Sequence, residues 1–143
     1  MKETIKFYTA DFPIPVRNRG SVKASLHAVA KSYGFSILSL NYIFCSDDYL
    51  LEVNRTALQH DYYTDIITFD LRDNFNTKTV EGEIYISVDR VKENALEFGV
   101  SFKNELHRVM SHGLLHLIGF KDKSEKEEKE MRAAEDKALK LFV

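Results

Sequence analysis

Apolar and polar positions alternate near the start of the chain. Ile5 and Phe7 are set between Thr4, Lys6 and Tyr8, and this two-residue period predicts a short strand. Pro13 and Pro15 follow and exclude helix interior there. From about Asn18 to Tyr33 the period changes: Val22, Leu26, Val29 and Ala30 recur at helical spacing, and Gly34 can take the left-handed turn that closes a helix. Phe35 to Phe44 reads as a second strand with Leu38, Leu40, Tyr42 and Phe44 on one face. Ser46 then offers a capping hydroxyl, and Asp47 and Asp48 suit the positive end of a helix that should run to about Ala57.

Leu58 to Asp65 is a polar and aromatic connection, and Ile66 to Phe69 a β-branched and aromatic strand. Arg72 to Gly82 holds turn formers without a period and predicts a mobile surface loop. Glu83 to Val88 alternates again, with Ile84, Ile86 and Val88 on one side. Asp89 is the expected cap of a helix ended by Gly99, and Ser101 opens the next, which stops at Gly119. Ser124 with Glu127 three residues on is a capping box for a last charged helix to about Leu141. There is no internal repeat and no linker. The pattern predicts one α+β domain over residues 1–143, with about four strands and five helices.

Bulk chemistry adds limits. At 143 residues, 44% hydrophobic and 29% charged, the chain is long and apolar enough for an ordinary globular core. With 20 basic and 22 acidic side chains, net charge selects no partner, so an RNA-binding surface would have to come from uneven placement. Arg17, Arg19, Lys23 and Lys31 cluster toward the front, and an acidic run spans Glu125 to Glu130; two solvated helix faces explain this equally well. Cys45, the only cysteine, excludes an intrachain disulfide, suits a reducing compartment, and sits in an apolar run as a buried, inert thiol. Met1 to Thr9 has no apolar core of signal-peptide length, and no stretch approaches the roughly 20 apolar residues of a membrane span. A soluble cytoplasmic protein with no membrane partner is expected.

The chemistry concentrates late in the chain. His112 and His116 are four apart, so on a helix they lie about 6 Å apart along the axis and roughly 40° apart around it. Two imidazoles so placed can converge on one ion. In projection, Phe102, Leu106, Val109, Met110, Gly113 and Leu117 share one face, with the two histidines along its edge. Gly119 allows a reversal that carries Asp122 back over the pair. Two imidazoles and a carboxylate leave a coordination position open, the pattern of a catalytic zinc site, and bound zinc brings water's pKa to about 7. The competing reading is two edge histidines bonded to core carbonyls, with Asp122 merely starting the acidic tail. His107 projects to the far side of the helix, and His27 belongs to a surface helix. Zinc proteases with two histidines at this spacing carry a glutamate after the first as general base. Gly113 stands there here, which disfavours peptide hydrolysis by that route.

The run His112-Gly-Leu-Leu-His116-Leu-Ile-Gly-Phe-Lys-Asp122 resembles the signature of the YbeY endoribonucleases, H-G-x-L-H-L-x-G-Y-D-H. Gly82-Glu-Ile-Tyr-Ile-Ser resembles that family's G-[DE]-I-x-I-S strand, and Ser101-Phe-Lys-Asn-Glu-Leu-His-Arg-Val-Met-Ser-His the lead into its metal helix. His60-Asp-Tyr-Tyr-Thr-Asp-Ile-Ile-Thr-Phe resembles its K-D-x-P-T-[DN]-V-L-S-F segment, so the likeness runs in order from about Asn54 to Asp122. The resemblance implies a metalloprotease-like α+β fold with a small, mostly parallel four-stranded sheet flanked by helices. It implies a single-strand-specific endoribonuclease of ribosomal RNA maturation, at the small subunit, and of ribosome quality control. Its partners would be single-stranded or ribosomal RNA, the ribosome and assembly proteins, and its ion Zn2+ or another divalent metal.

Two positions depart from the family. Its third ligand is usually histidine, where Asp122 stands here; the added negative charge favours a harder ion and makes the bound water less acidic. An arginine of the family corresponds to Leu58, which removes a phosphate-binding cation; His60 or Arg55 are the candidate replacements, and His60 could equally orient the loop. The expected catalytic and metal residues are therefore His112, His116 and Asp122. A basic groove from Arg17 to Lys31 would hold the strand, with Tyr62 or Tyr63 stacking bases. A non-catalytic ribosome-assembly or RNA-binding module with a structural metal is the alternative.

Overall fold

The computed structural model describes residues 4–143. The expectation for the N-terminal stretch falls in part on residues 1–3, outside the described residues. Four strands and five helices are present: β1 (Ile5–Thr9), α1 (Arg19–Ser32), β2 (Ser36–Cys45), α2 (Asp47–Leu58), β3 (Ile66–Asp70), β4 (Thr79–Ser87), α3 (Val88–Phe98), α4 (Phe102–Ile118) and α5 (Glu125–Leu141). The sheet order is β1-β2-β4-β3, with β1, β2 and β4 parallel and only β3 antiparallel at its edge. The four strands and five helices are those the sequence pattern predicts, and the mostly parallel sheet flanked by helices is the one the family resemblance implies.

Alternation along the strands divides the core. Leu40, Tyr42, Phe44, Ile84 and Ile86 face the larger cluster, which α1, α4 and α5 complete through Leu26, Met110, Leu114 and Met131. Cys45, Ile67, Phe69 and Tyr85 face the other way and meet Leu50 and Val53 of α2. Each fully buried aliphatic side chain contributes about 1.5–3 kcal/mol relative to exposure, so the larger face dominates stability. No helix among the described residues is long and apolar enough to cross a membrane.

Three local expectations change. Leu38 was expected beside Leu40 but is exposed, because the β2–β4 register shifts between Ile37 and Ser39 and puts Ile37 inward instead. The loop after Arg72 ends sooner than Gly82: Thr79 already pairs with Ser36, so β4 begins there. Ser87, not Asp89, caps α3 by accepting from the Arg90 amide at 3.2 Å; Asp89 instead accepts from the Asp47 amide at 2.9 Å, joining α2 to α3.

Helix α4 is buried on more than the one face that its projection suggests. Leu114 and Leu115 are buried as well as Met110 and Leu117, since sheet, α1, α3 and α5 surround it. Close approach explains Gly113: a Cβ there would lie 2.8 Å from Cδ1 of Ile84 and 3.0 Å from Cδ1 of Ile66. The position faces the sheet, so no side chain there could act on an ion held by the neighbouring histidines. The buried phenol of Tyr42 donates to the Met110 carbonyl at 2.8 Å and pins the helix to β2.

Candidate metal centre

His112 and His116 project from the last turns of α4, and the chain reverses at Gly119, whose φ of 126° favours glycine. Phe120 and the turn bring Asp122 back over both rings. Nε2 of His116 lies 3.0 Å from Nε2 of His112, and Oδ2 of Asp122 lies 3.2 Å from Nε2 of His112 and 3.3 Å from Nε2 of His116. Three donor atoms thus form one small triangle.

Their outer contacts determine what those atoms are. Nδ1 of His116 is 3.0 Å from the Phe120 carbonyl, which only accepts, so this nitrogen carries the proton. Nδ1 of His112 donates to Oε2 of Glu135 at 2.6 Å. Glu135 is buried, and Oε1 accepts from Arg108 at 2.9 Å while Arg108 also reaches Asp136 at 2.7 Å. Burial works to raise the Glu135 pKa, but the bonds from His112 and Arg108 outweigh it and bring it below its ordinary value. Burial likewise works to lower that of His112, and the hydrogen bond and charge of Glu135, with Asp122 and Asp65, carry it upward.

With Nδ1 of each neutral ring carrying the proton, the two Nε2 atoms and the Asp122 oxygen present lone pairs to one another. A positive charge relieves their repulsion, either a proton on His112, whose pKa is raised, or a metal ion bound by all three. A tetrahedral zinc with donors at about 2.0–2.1 Å spaces them about 3.3 Å apart, close to the distances here. The donor set therefore fits a metal ion, and carboxylate and carbonyl partners behind the imidazoles are what metal-binding histidines require.

The triangle opens into a cleft of about 680 Å³. Asn54, Leu58, His60 and Tyr62, residues of β3, Asn94 and Phe98 of α3, and Glu105, Arg108, Arg132 and Glu135 line it. Five carboxylates (Asp65, Asp70, Glu105, Asp122 and Glu135) face it against two guanidiniums, so an anion entering it depends on a bound cation.

The structure brings together His112, His116 and Asp122 and sets the other candidates apart. His107 stacks on Phe142 at 4.4 Å on the opposite side of α4, and His27 pairs with Thr4 at 3.0 Å. No residue from Arg17 to Lys31 lines the cleft, since α1 packs against β2, α4 and α5; the expected basic groove is not at this site. Tyr62 lines the cleft, whereas Tyr63 lies under Arg90 and bonds Asp48. His60 reaches the cleft, its Nδ1 2.9 Å from the Tyr62 hydroxyl, while Arg55 pairs with Glu52 and Asp61 outside it. Glu135, Arg108 and Glu105 were missed. Their signal was a carboxylate inside an apolar stripe, Glu135 among Met131, Ala134 and Ala138, and Glu105 beside Leu106 and Val109.

Fold and site together define a small α+β protein with a histidine–histidine–carboxylate group at the end of its central helix. The sequence model of the Endoribonuclease YbeY family matches residues 5–143, and the chain belongs to that family. An endoribonuclease YbeY from Cytophaga hutchinsonii is 54% identical over 141 residues, covering 98% of this chain and 96% of the relative. One from Porphyromonas gingivalis is 46% identical over 138 residues, covering 96% and 89%. The solution structure of TM1509 from Thermotoga maritima superposes with a TM-score of 0.67 at 30% identity, covering 96% of this chain and 88% of that one.

Proposed function

We propose that residues 1–143 act as one metal-dependent, single-strand-specific endoribonuclease domain in ribosomal RNA maturation, at the small subunit, and in ribosome quality control. The observation that carries it is the triangle of two imidazole nitrogens and a carboxylate oxygen within 3.3 Å of one another, in a chain whose relatives bear an endoribonuclease name. His112, His116 and Asp122 would hold one Zn2+ or another divalent ion. Such an ion supplies hydroxide near neutral pH and draws charge from a phosphate oxygen. Glu135 keeps the His112 proton on Nδ1, and the Phe120 carbonyl does the same for His116, so both Nε2 lone pairs stay available. Tyr62, exposed at the mouth, offers a stacking surface for a base. A lone buried Cys45 suits the reducing cytoplasm.

Elemental analysis of wild type and Asp122→Ala, beside cleavage of single- and double-stranded RNA, tests this reading. One ion per chain is expected in wild type and none in the variant, with cleavage confined to single strands and lowered more than about a thousandfold in His116→Ala. Cleavage indifferent to His116→Ala overturns it. Metal that stabilises the fold without supporting cleavage points to a non-catalytic assembly module instead.

A further inference from the structure

Two turns before His112, on the same side of α4, stands Glu105. It is 5% exposed and lines the cleft, and its carboxylate makes no hydrogen bond or ion pair with any described residue. Arg108 and Arg132 act on it through their charge only; Arg108 is already bonded to Glu135 and Asp136. As an acid in the first turn of α4 it complements the helix dipole, but that role needs no burial. Its oxygens therefore meet only the cleft, and partial burial without a donor raises the carboxyl pKa.

Its surroundings suit a flat ligand rich in donors. Asn94 and Phe98, one turn apart on α3, line the same cleft, and α3 packs on α4. The Asn94 carboxamide also lacks a partner among the described residues, and the Phe98 ring is 54% exposed. Seven residues separate Glu105 from His112, roughly 10 Å along the helix. A sugar can span the gap between a phosphate at the histidines and a base at Glu105.

Resting on the single-stranded RNA reading above, we infer that Glu105, Asn94 and Phe98 form a nucleobase subsite that selects guanine. An ionised carboxylate only accepts, and guanine alone among the four bases presents two adjacent donors, N1–H and the 2-amino group. Adenine and cytosine set an acceptor beside their amino group, and uracil flanks one donor with two acceptors. The Asn94 amide can donate to guanine O6, while Phe98 covers the ring face.

Titration of the zinc-loaded full chain with GMP, IMP and AMP, followed by NMR, tests this. GMP should bind about ten- to a hundredfold more tightly than AMP, with IMP, which lacks the 2-amino group, in between. Glu105→Gln should erase the difference at unchanged metal content, and Phe98→Ala should weaken all three ligands together. Thermal melting reports whether Glu105→Gln is folded; if it is not, the wild-type ranking and Phe98→Ala decide. AMP binding as tightly as GMP, or a preference that survives Glu105→Gln, overturns the inference. Guanine preference in a chain that leaves RNA intact overturns the nuclease reading alone, and cleavage blind to base identity overturns only the guanine subsite.

Discussion

At its C-terminal end α4 carries two imidazoles in which every ring nitrogen has a neighbour, whereas two turns earlier the same side carries the Glu105 carboxylate, which has no hydrogen-bond partner among the described residues. One end is held from behind: Glu135, itself gripped by Arg108, and the Phe120 carbonyl leave each ring a single orientation. At the other end, Glu105 and Asn94 keep their polar atoms available. An ion needs donors set within tenths of an ångström, so neighbours must fix them in advance. A planar ligand brings its own donors, so its subsite can leave acceptors open. The same helix supplies both because it runs the length of the cleft.

The largest effect that sharpens this contrast is expected at Glu135. Glu135→Gln removes the charged acceptor behind His112 and should weaken metal binding about 10- to 100-fold in a competition titration with a chelator. Metal affinity unchanged in that variant would mean that the ring is oriented by packing alone. Next comes the spacing that keeps both ends over the sheet. Gly113→Ala pushes a methyl into Ile84 and Ile66 and should lower stability by about 1–3 kcal/mol in urea unfolding.

A smaller effect concerns His107, the third histidine of α4. Burial, with Lys103 nearby, holds its pKa below 6.5, so the unfolded chain takes up this proton first. Its contribution to stability is complete above pH 6.5 and is lost as pH falls below that value. Unfolding free energies at pH 7.5 and about pH 5.5 should therefore diverge less in His107→Phe than in wild type. Smallest of all, the buried Ser111 hydroxyl has no partner among the described residues, and Ser111→Ala should leave the melting temperature equal or slightly higher. A clear drop would reveal a hydrogen bond, through water or after a local shift, that the hydroxyl makes in solution.

Much of this molecule is legible in local sequence. Capping serines 46, 101 and 124, the glycines that end helices, and the two-residue period of β4 each act within a few residues of themselves. The His112, His116 and Asp122 group belongs with them, because four residues on a helix and one glycine turn bring its atoms together. Leu38 shows the limit: a one-residue register shift, decided by pairing with β4, reversed the face it takes.

The sequence by itself determined the elements and the three donor residues, since their spacing is a property of one helix and its exit. Tertiary structure alone decided what stands behind and beside them. Glu135 is one of many acids in α5 until the packing of α5 on α4 buries it against His112. Gly113 is an absent base in the sequence and a contact with Ile84 in the fold. Arg17 to Lys31 is the evident basic region along the chain, yet the packing of α1 places it away from the cleft, which is acidic. Burial and charge balance are sums over groups distant in the chain, and only the folded structure brings those groups together.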